Sequence, residues 1–302
     1  MKVIVLANMP QRIQSQTYLC QRLTEIDDKL DFYFILPSIS ELIKYEKELA
    51  PFKTIIFDTN KRKNKSSLIK KKRMTYHFKS WFRWIRSATI FELFKTVQVY
   101  CKLRKQDQWM VNVFNEVNPG VAISNGDRHL GLEPAFLKQA NKYNVPVVVP
   151  YLTYSGSDGP LKTQVGNKLV DRNWKSPLIT HFLFLFMNKQ FYKNKYLFYS
   201  PSTLLALKIF GILSKNPWQM GCGAINKICV DNNNTYDRYL KNGVNHSCLK
   251  IIGDVSYDIL YEKLKNNALK SNEVCLTFDD AIKCQIDIAL PVLEELKIKS
   301  FF

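Results

Sequence analysis

The sequence predicts an α/β fold of Rossmann-like type, with a parallel sheet covered by helices on both faces. Two observations carry the prediction. Short apolar, β-branched runs alternate with longer stretches of helical periodicity through most of the chain. The runs hold few polar residues, as strands buried on both faces require. A length of 302 residues with 46% hydrophobic content supplies enough apolar surface for one large core or two.

The elements follow in order. Val3–Ala7 reads as the first strand and Gln14–Ile26 as the first helix. Phe32–Leu36 (strand), Ile39–Leu49 (helix) and Thr54–Phe57 (strand) continue the alternation. A long helical pattern spans 89–117, followed by Val121–Ser124 (strand), Leu132–Tyr143 (helix) and Val145–Pro150 (strand). Gly, Ser, Asp and Pro cluster at Ser155–Pro160, a loop signature. The apolar stretches at 178–187 and 203–213 read as core helices, too short to span a bilayer. The rhythm returns with Lys227–Val230, a helix over Thr235–Asn242 that Gly243 should stop, Lys250–Ile252, and a helix over Tyr257–Leu264. Boundaries are expected near 215–225 and 268–273. They give an N-terminal domain at 1–215, a partial second α/β unit at 216–268 and a separate segment at 273–302.

The net charge of +18 is unevenly placed. Eleven Lys or Arg and no acid fall between Lys61 and Arg86, with Tyr76, Phe78, Trp81, Phe82 and Trp84 interleaved. This basic insertion at 61–86 reads either as a solvated face or as a contact for an anionic membrane surface. No nucleic-acid fold signature accompanies it, so nucleic acid is not expected as a partner. The seven scattered cysteines form no C-x-x-C, which argues against a zinc ribbon or redox motif. Together with an N-terminus that reads as a strand rather than a signal peptide, they lead to the expectation of a cytoplasmic protein, peripheral to the membrane if the basic insertion docks there.

Two constellations suggest chemistry. The first lies at two strand ends. Asn8-Met9-Pro10-Gln11-Arg12 follows the first strand, and an Arg in a first β-α turn is suited to grip a diphosphate. Gly126-Asp127-Arg128-His129 follows another strand, where the glycine allows a sharp turn that presents a carboxylate. The alternative is that Asp127 and Arg128 pair with each other or cap the next helix. The second constellation is the apolar run Val274–Phe278, which ends in Asp279-Asp280. Two adjacent carboxylates repel unless a cation or a shared proton separates their roles.

The first 262 residues resemble two-domain GT-B proteins, above all the nucleotide-sugar 2-epimerases. The likeness rests on the turn at 8–12, on Pro119–Arg128 with Asn144-Val145-Pro146-Val147, and on Ile228–Asp258. It implies a UDP-sugar ligand, Arg12 and Arg128 as its binding residues, and Asp127 as catalytic acid or base. The family's Glu-Ala-Gly is replaced here by the stretch from Pro150 to Gly156, without the Glu. Residues 273–302, with Thr277-Phe278-Asp279-Asp280 and the closing Ser300-Phe301-Phe302, resemble the opening of a polysaccharide deacetylase (NodB-homology) domain, a (β/α) barrel that breaks off after its first strand and helix. That resemblance implies Asp279 as general base, Asp280 as ligand of a divalent metal, commonly zinc, and an acetamido sugar or polysaccharide as substrate. The family's later H-x-x-x-H does not follow, since all four histidines precede the motif. Metal-dependent deacetylation is therefore the first functional expectation, incomplete in this chain. A nucleotide-sugar glycosyltransferase or epimerase is the second, and a membrane-surface binding module the third.

Overall fold

The structure, a computed structural model, describes residues 1–57, 89–150, 161, 164–167, 170–171, 178–186, 191–253 and 258. The chain divides into two compact units, Met1–Gly253 and Asp254–Phe302. Only Asp258 of the second unit is described, so the architecture is that of the first.

The strands are β1 (Lys2–Leu6), β2 (Asp31–Leu36), β3 (Lys53–Ile56), β4 (Val121–Ile123), β5 (Val147–Val149), β6 (Tyr192–Lys193), β7 (Tyr196–Leu197), β8 (Lys227–Val230) and β9 (Leu249–Ile251). Seven of them form one sheet in the order β3-β2-β1-β4-β5-β8-β9. Every neighbouring pair in it is parallel. The helices are α1 (Ile13–Ile26), α2 (Ile39–Lys44), α3 (Glu46–Leu49), α4 (Thr89–Val117), α5 (Glu133–Lys142), α6 (Leu178–Phe186), α7 (Pro201–Phe210) and α8 (Asn233–Lys241).

The expected two-sided burial is visible along β1. Ile4 and Leu6 join a core with Met110, Phe114 and Phe136 from α4 and α5. Val3, Val5 and Ala7 join another with Ile13 and Cys20 of α1 and Leu49 of α3. Because side chains alternate across a strand, one apolar run serves both layers. α4 packs along α5 and α7 on the first of these faces. The expected glycine stop holds: Gly243 follows α8 at φ +88, and its N–H donates to the Leu240 carbonyl at 2.9 Å.

The sequence pattern separates 216–268 as a partial second unit, but residues 227–251 join the first sheet. β8 pairs with β5, Val148 opposite Lys227 and Val149 opposite Ile228, and β9 pairs in turn with β8. Pairing covers the edge of β5, which would otherwise leave a row of unpaired N–H and C=O groups. The strand-helix rhythm does return here, but periodicity does not say which sheet a strand enters. The basic insertion at 61–86, the loop at Ser155–Pro160 and the segment 273–302 lie outside the described residues. No helix among the described residues is long and apolar enough to cross a membrane.

Candidate functional site

In this sheet order, the connections from β1 and from β4 leave in opposite directions. Such a reversal opens a crevice beyond the carboxyl ends of the two strands, the usual ligand position in open α/β sheets. Asn8 to Arg12 rise from β1, and Ser124 to His129 rise from β4. A buried amide network ties the two loops together. Asn125 Nδ2 donates to the Leu6 carbonyl at 3.1 Å and to Asn8 Oδ1 at 2.8 Å. Gln16 Nε2 donates to Asn125 Oδ1 at 3.2 Å and to the Leu6 carbonyl at 3.3 Å.

Asp127 is only 8% exposed. Its carboxylate accepts the Gly221 N–H, 3.1 Å from each oxygen, and the Gly223 N–H at 2.6 Å. The glycines are a steric requirement. Gly221 sits at φ +93, and a Cβ there would fall 2.2 Å from Ile228 Cδ1. A Cβ at Gly223 would fall 2.7 Å from Asp127 Oδ2. Burial raises the Asp127 pKa while the two amides oppose the shift. The residue expected to act as acid or base thus anchors the 221–223 loop, ninety-four positions away in the chain.

Arg128, expected to bind a nucleotide, is buried, and its guanidinium donates to the Trp218 carbonyl at 2.9 Å. Its own carbonyl accepts from the Tyr199 hydroxyl at 2.7 Å. Burial lowers the Arg128 pKa, with Asp127 opposing. The His129 backbone N–H donates to Glu133 Oε1 at 2.7 Å, at the start of α5. Glu133 is 0% exposed, and its carboxyl is pushed up to about 8, by burial first and further by the charge of Asp127. Burial, with Arg128 and Arg12 nearby, lowers the His129 imidazole to about 4. At neutral pH both groups are therefore mainly uncharged. Glu133 Oε2, His129 Nε2 and Ser214 Oγ are buried with no hydrogen-bond partner among the described residues. Their residues line, with Asp127 and Tyr199, a cavity of about 10 Å³, room for about one water.

Arg12 is held differently. It is the N-terminal flanking residue of α1, half-buried, and its guanidinium has no hydrogen bond or ion pair among the described residues. Burial lowers its pKa, Tyr239 and Glu133 oppose, and Arg128 adds to the lowering. The first turn of α1 contains no acid and no side-chain cap. A helix N-terminus beside an unpaired guanidinium favours an anion through its amides, its dipole and the fixed charge. With Glu133 and His129 neutral, positive charge predominates in this crevice.

A larger cavity, about 250 Å³, lies at the amino ends of β5 and β8 among Asn141, Asn144 and Asn226. Gly223, whose N–H donates to Asp127, lines it too, and no charged side chain does. Asp279 and Asp280 lie outside the described residues. Among the described residues, no group of three or more His, Cys, Asp or Glu is placed to hold a metal ion. Sequence reasoning missed Glu133, Tyr199, Asn125 and the Gly221-Cys222-Gly223 loop. In a chain with 11 glycines, that closely spaced pair was the available signal of a tight backbone approach.

No protein-family model matches the chain, and no curated protein sequence does. Among solved structures, it is similar to UDP-N-acetylglucosamine 2-epimerase from Rickettsia bellii, at 10% identity and TM-score 0.42, covering 98% of this chain and 60% of that one. It is similar to S. aureus MnaA in a co-structure with UDP, at 9% identity and TM-score 0.38, covering 97% and 59%. A third similar structure is the spinosyn rhamnosyltransferase SpnG, at 14% identity and TM-score 0.29, covering 50% and 34%. The chain thus spans from about a third to three-fifths of the length of these structures. Likenesses this loose carry no argument about activity, and the Rossmann-like assignment rests on the sheet itself.

Proposed function

We propose that this chain is part of a nucleotide-sugar enzyme of GT-B type, a glycosyltransferase or a UDP-sugar 2-epimerase, in which Arg12 holds the diphosphate. The observation that carries the reading is the placement of Arg12: a half-buried guanidinium without a carboxylate partner among the described residues, at the N-terminus of α1 in the switch-point crevice. A phosphate there would receive two charge-assisted hydrogen bonds from the fork and backbone amides from the helix. Asn125 and Gln16 would set the spacing of the two loops. Arg128 would add charge to the wall without leaving Trp218. The deacetylation reading finds no support among the described residues and is not part of the proposal. The absence of the epimerases' Glu favours the transferase over the epimerase.

Thermal denaturation with UDP, UDP-N-acetylglucosamine and inorganic pyrophosphate tests the reading. Millimolar UDP should raise Tm by a few degrees, and the Arg12→Ala variant should lose most of that rise. No shift with either UDP compound, or an equal shift in the variant, would refute it.

A further inference from the structure

α4 carries a feature that the crevice does not use. Leu93, Phe94 and Val97, in its first turns, are 49%, 58% and 58% exposed. Gln98, Cys101, Lys102, Arg104 and Lys105 are exposed as well. At 100° per residue, these eight positions fall on one continuous face, about half the circumference of the helix. Phe94, Cys101 and Lys105 share a line along it, so the cations lie about 17 Å beyond the apolar end.

The acids decide what such a face can meet. Between Phe91 and Asn115 the acidic residues are Glu92 and Asp107, and both are buried. Glu92 pairs with Lys95 at 2.8 Å, and Asp107 with Lys138 at 3.2 Å. Asp107 also pairs with Arg104 at 3.8 Å, so Lys102 and Lys105 are the exposed cations with no carboxylate to balance them on this stretch of the helix. A second copy packed antiparallel across a two-fold axis would set the cations of each helix against the apolar turns of the other, leaving both without a complement. A bilayer with anionic headgroups offers both complements, an acyl boundary for Leu93, Phe94 and Val97 and negative charge for the basic turns.

We propose that this face of α4 docks the protein on an anionic lipid surface. The inference is independent of the reading of Arg12. Co-sedimentation of the full chain with phosphatidylcholine–phosphatidylglycerol vesicles, and with phosphatidylcholine alone, provides the test. Binding is expected to the anionic vesicles only and to weaken about tenfold at high salt. The combined Leu93→Glu, Phe94→Glu and Val97→Glu variant, checked for an unchanged melting curve, should lose binding. Lys102→Ala with Lys105→Ala should weaken it several-fold. Absence of binding to anionic vesicles would overturn the proposal. So would wild-type binding by the triple variant, which would move the contact elsewhere, or a concentration-dependent dimer that the triple variant abolishes.

Discussion

The loop after β4 and the loop after β1 meet at one crevice but use charge in opposite ways. After β4, Asp127, Arg128 and Glu133 are all buried, and each is bonded: to the 221–223 amides, to the Trp218 carbonyl and to the His129 N–H. After β1, Arg12 is half-buried with no polar partner for its guanidinium among the described residues. The first loop uses its buried polar groups to hold the chain in place, while the second keeps a charge available. A motif such as Gly-Asp-Arg at a strand end therefore does not by itself mark a ligand site. What separates frame from site is whether the charged group already has its partner.

Removing the anchor should have the largest effect on stability. Asp127→Ala leaves the Gly221 and Gly223 N–H groups without their acceptor and opens the carboxylate's space. The expected loss is about 3 kcal/mol, read by urea denaturation. Gly223→Ala attacks the same contact from the other side and should cost about 2 kcal/mol. A loss under about 0.5 kcal/mol for Asp127→Ala would show that the anchor contributes little and would make Asp127 a candidate for chemistry again.

A smaller effect should appear with pH. The folded Glu133 pKa of about 8 stands above the ordinary carboxylate value of 4.5. Its contribution is thus fully present below pH 4.5 and is lost as pH rises through 8. Between pH 6.5 and 7.5 the loss is about 1 kcal/mol. His129 runs the other way: lowered from 6.5 to about 4, it contributes stability above pH 6.5 that is lost as pH falls through 4. Arg12, Arg128, Asp127 and Asn8 face the pair from the two loops, and Tyr199 faces it from beyond β7. Glu133→Gln should keep the fold and flatten the decline in Tm between pH 6.5 and 7.5. An unchanged slope in that variant would mean that another group carries it.

Much of this frame is legible in the sequence, because strands buried on both faces are written as continuous apolar runs. Val3–Ala7, Phe32–Leu36 and Val121–Ser124 fall within a residue or so of β1, β2 and β4. The turn that holds Arg12 is legible too, since a first strand followed by a short polar turn and a helix has few other readings. Long-range pairing is not legible. That β8 adds to β5, and that Gly221 and Gly223 close on Asp127, depends on contacts between residues 79 and more than 90 positions apart. Glu133 is hidden for a different reason. As the first residue of α5, it reads as an ordinary favourable charge near a helix N-terminus, and only its burial makes it a neutral acid.

The smallest stability effect, and the sharpest separation of the two loops, should come from Arg12→Ala. With no bonded partner among the described residues, the guanidinium contributes little to folding, and its removal from a half-buried site eases a desolvation cost. Urea denaturation should place the variant within about 0.5 kcal/mol of the parent. Pyrophosphate, which carries the diphosphate charge without sugar or base, should raise the parent's Tm and leave the variant's unchanged. If Arg12→Ala instead destabilises as strongly as Asp127→Ala, the guanidinium is part of the frame, and the contrast between the two loops disappears. If stability holds and pyrophosphate still protects the variant, the anion is held by the helix terminus or by Arg128, and the available charge lies one loop over.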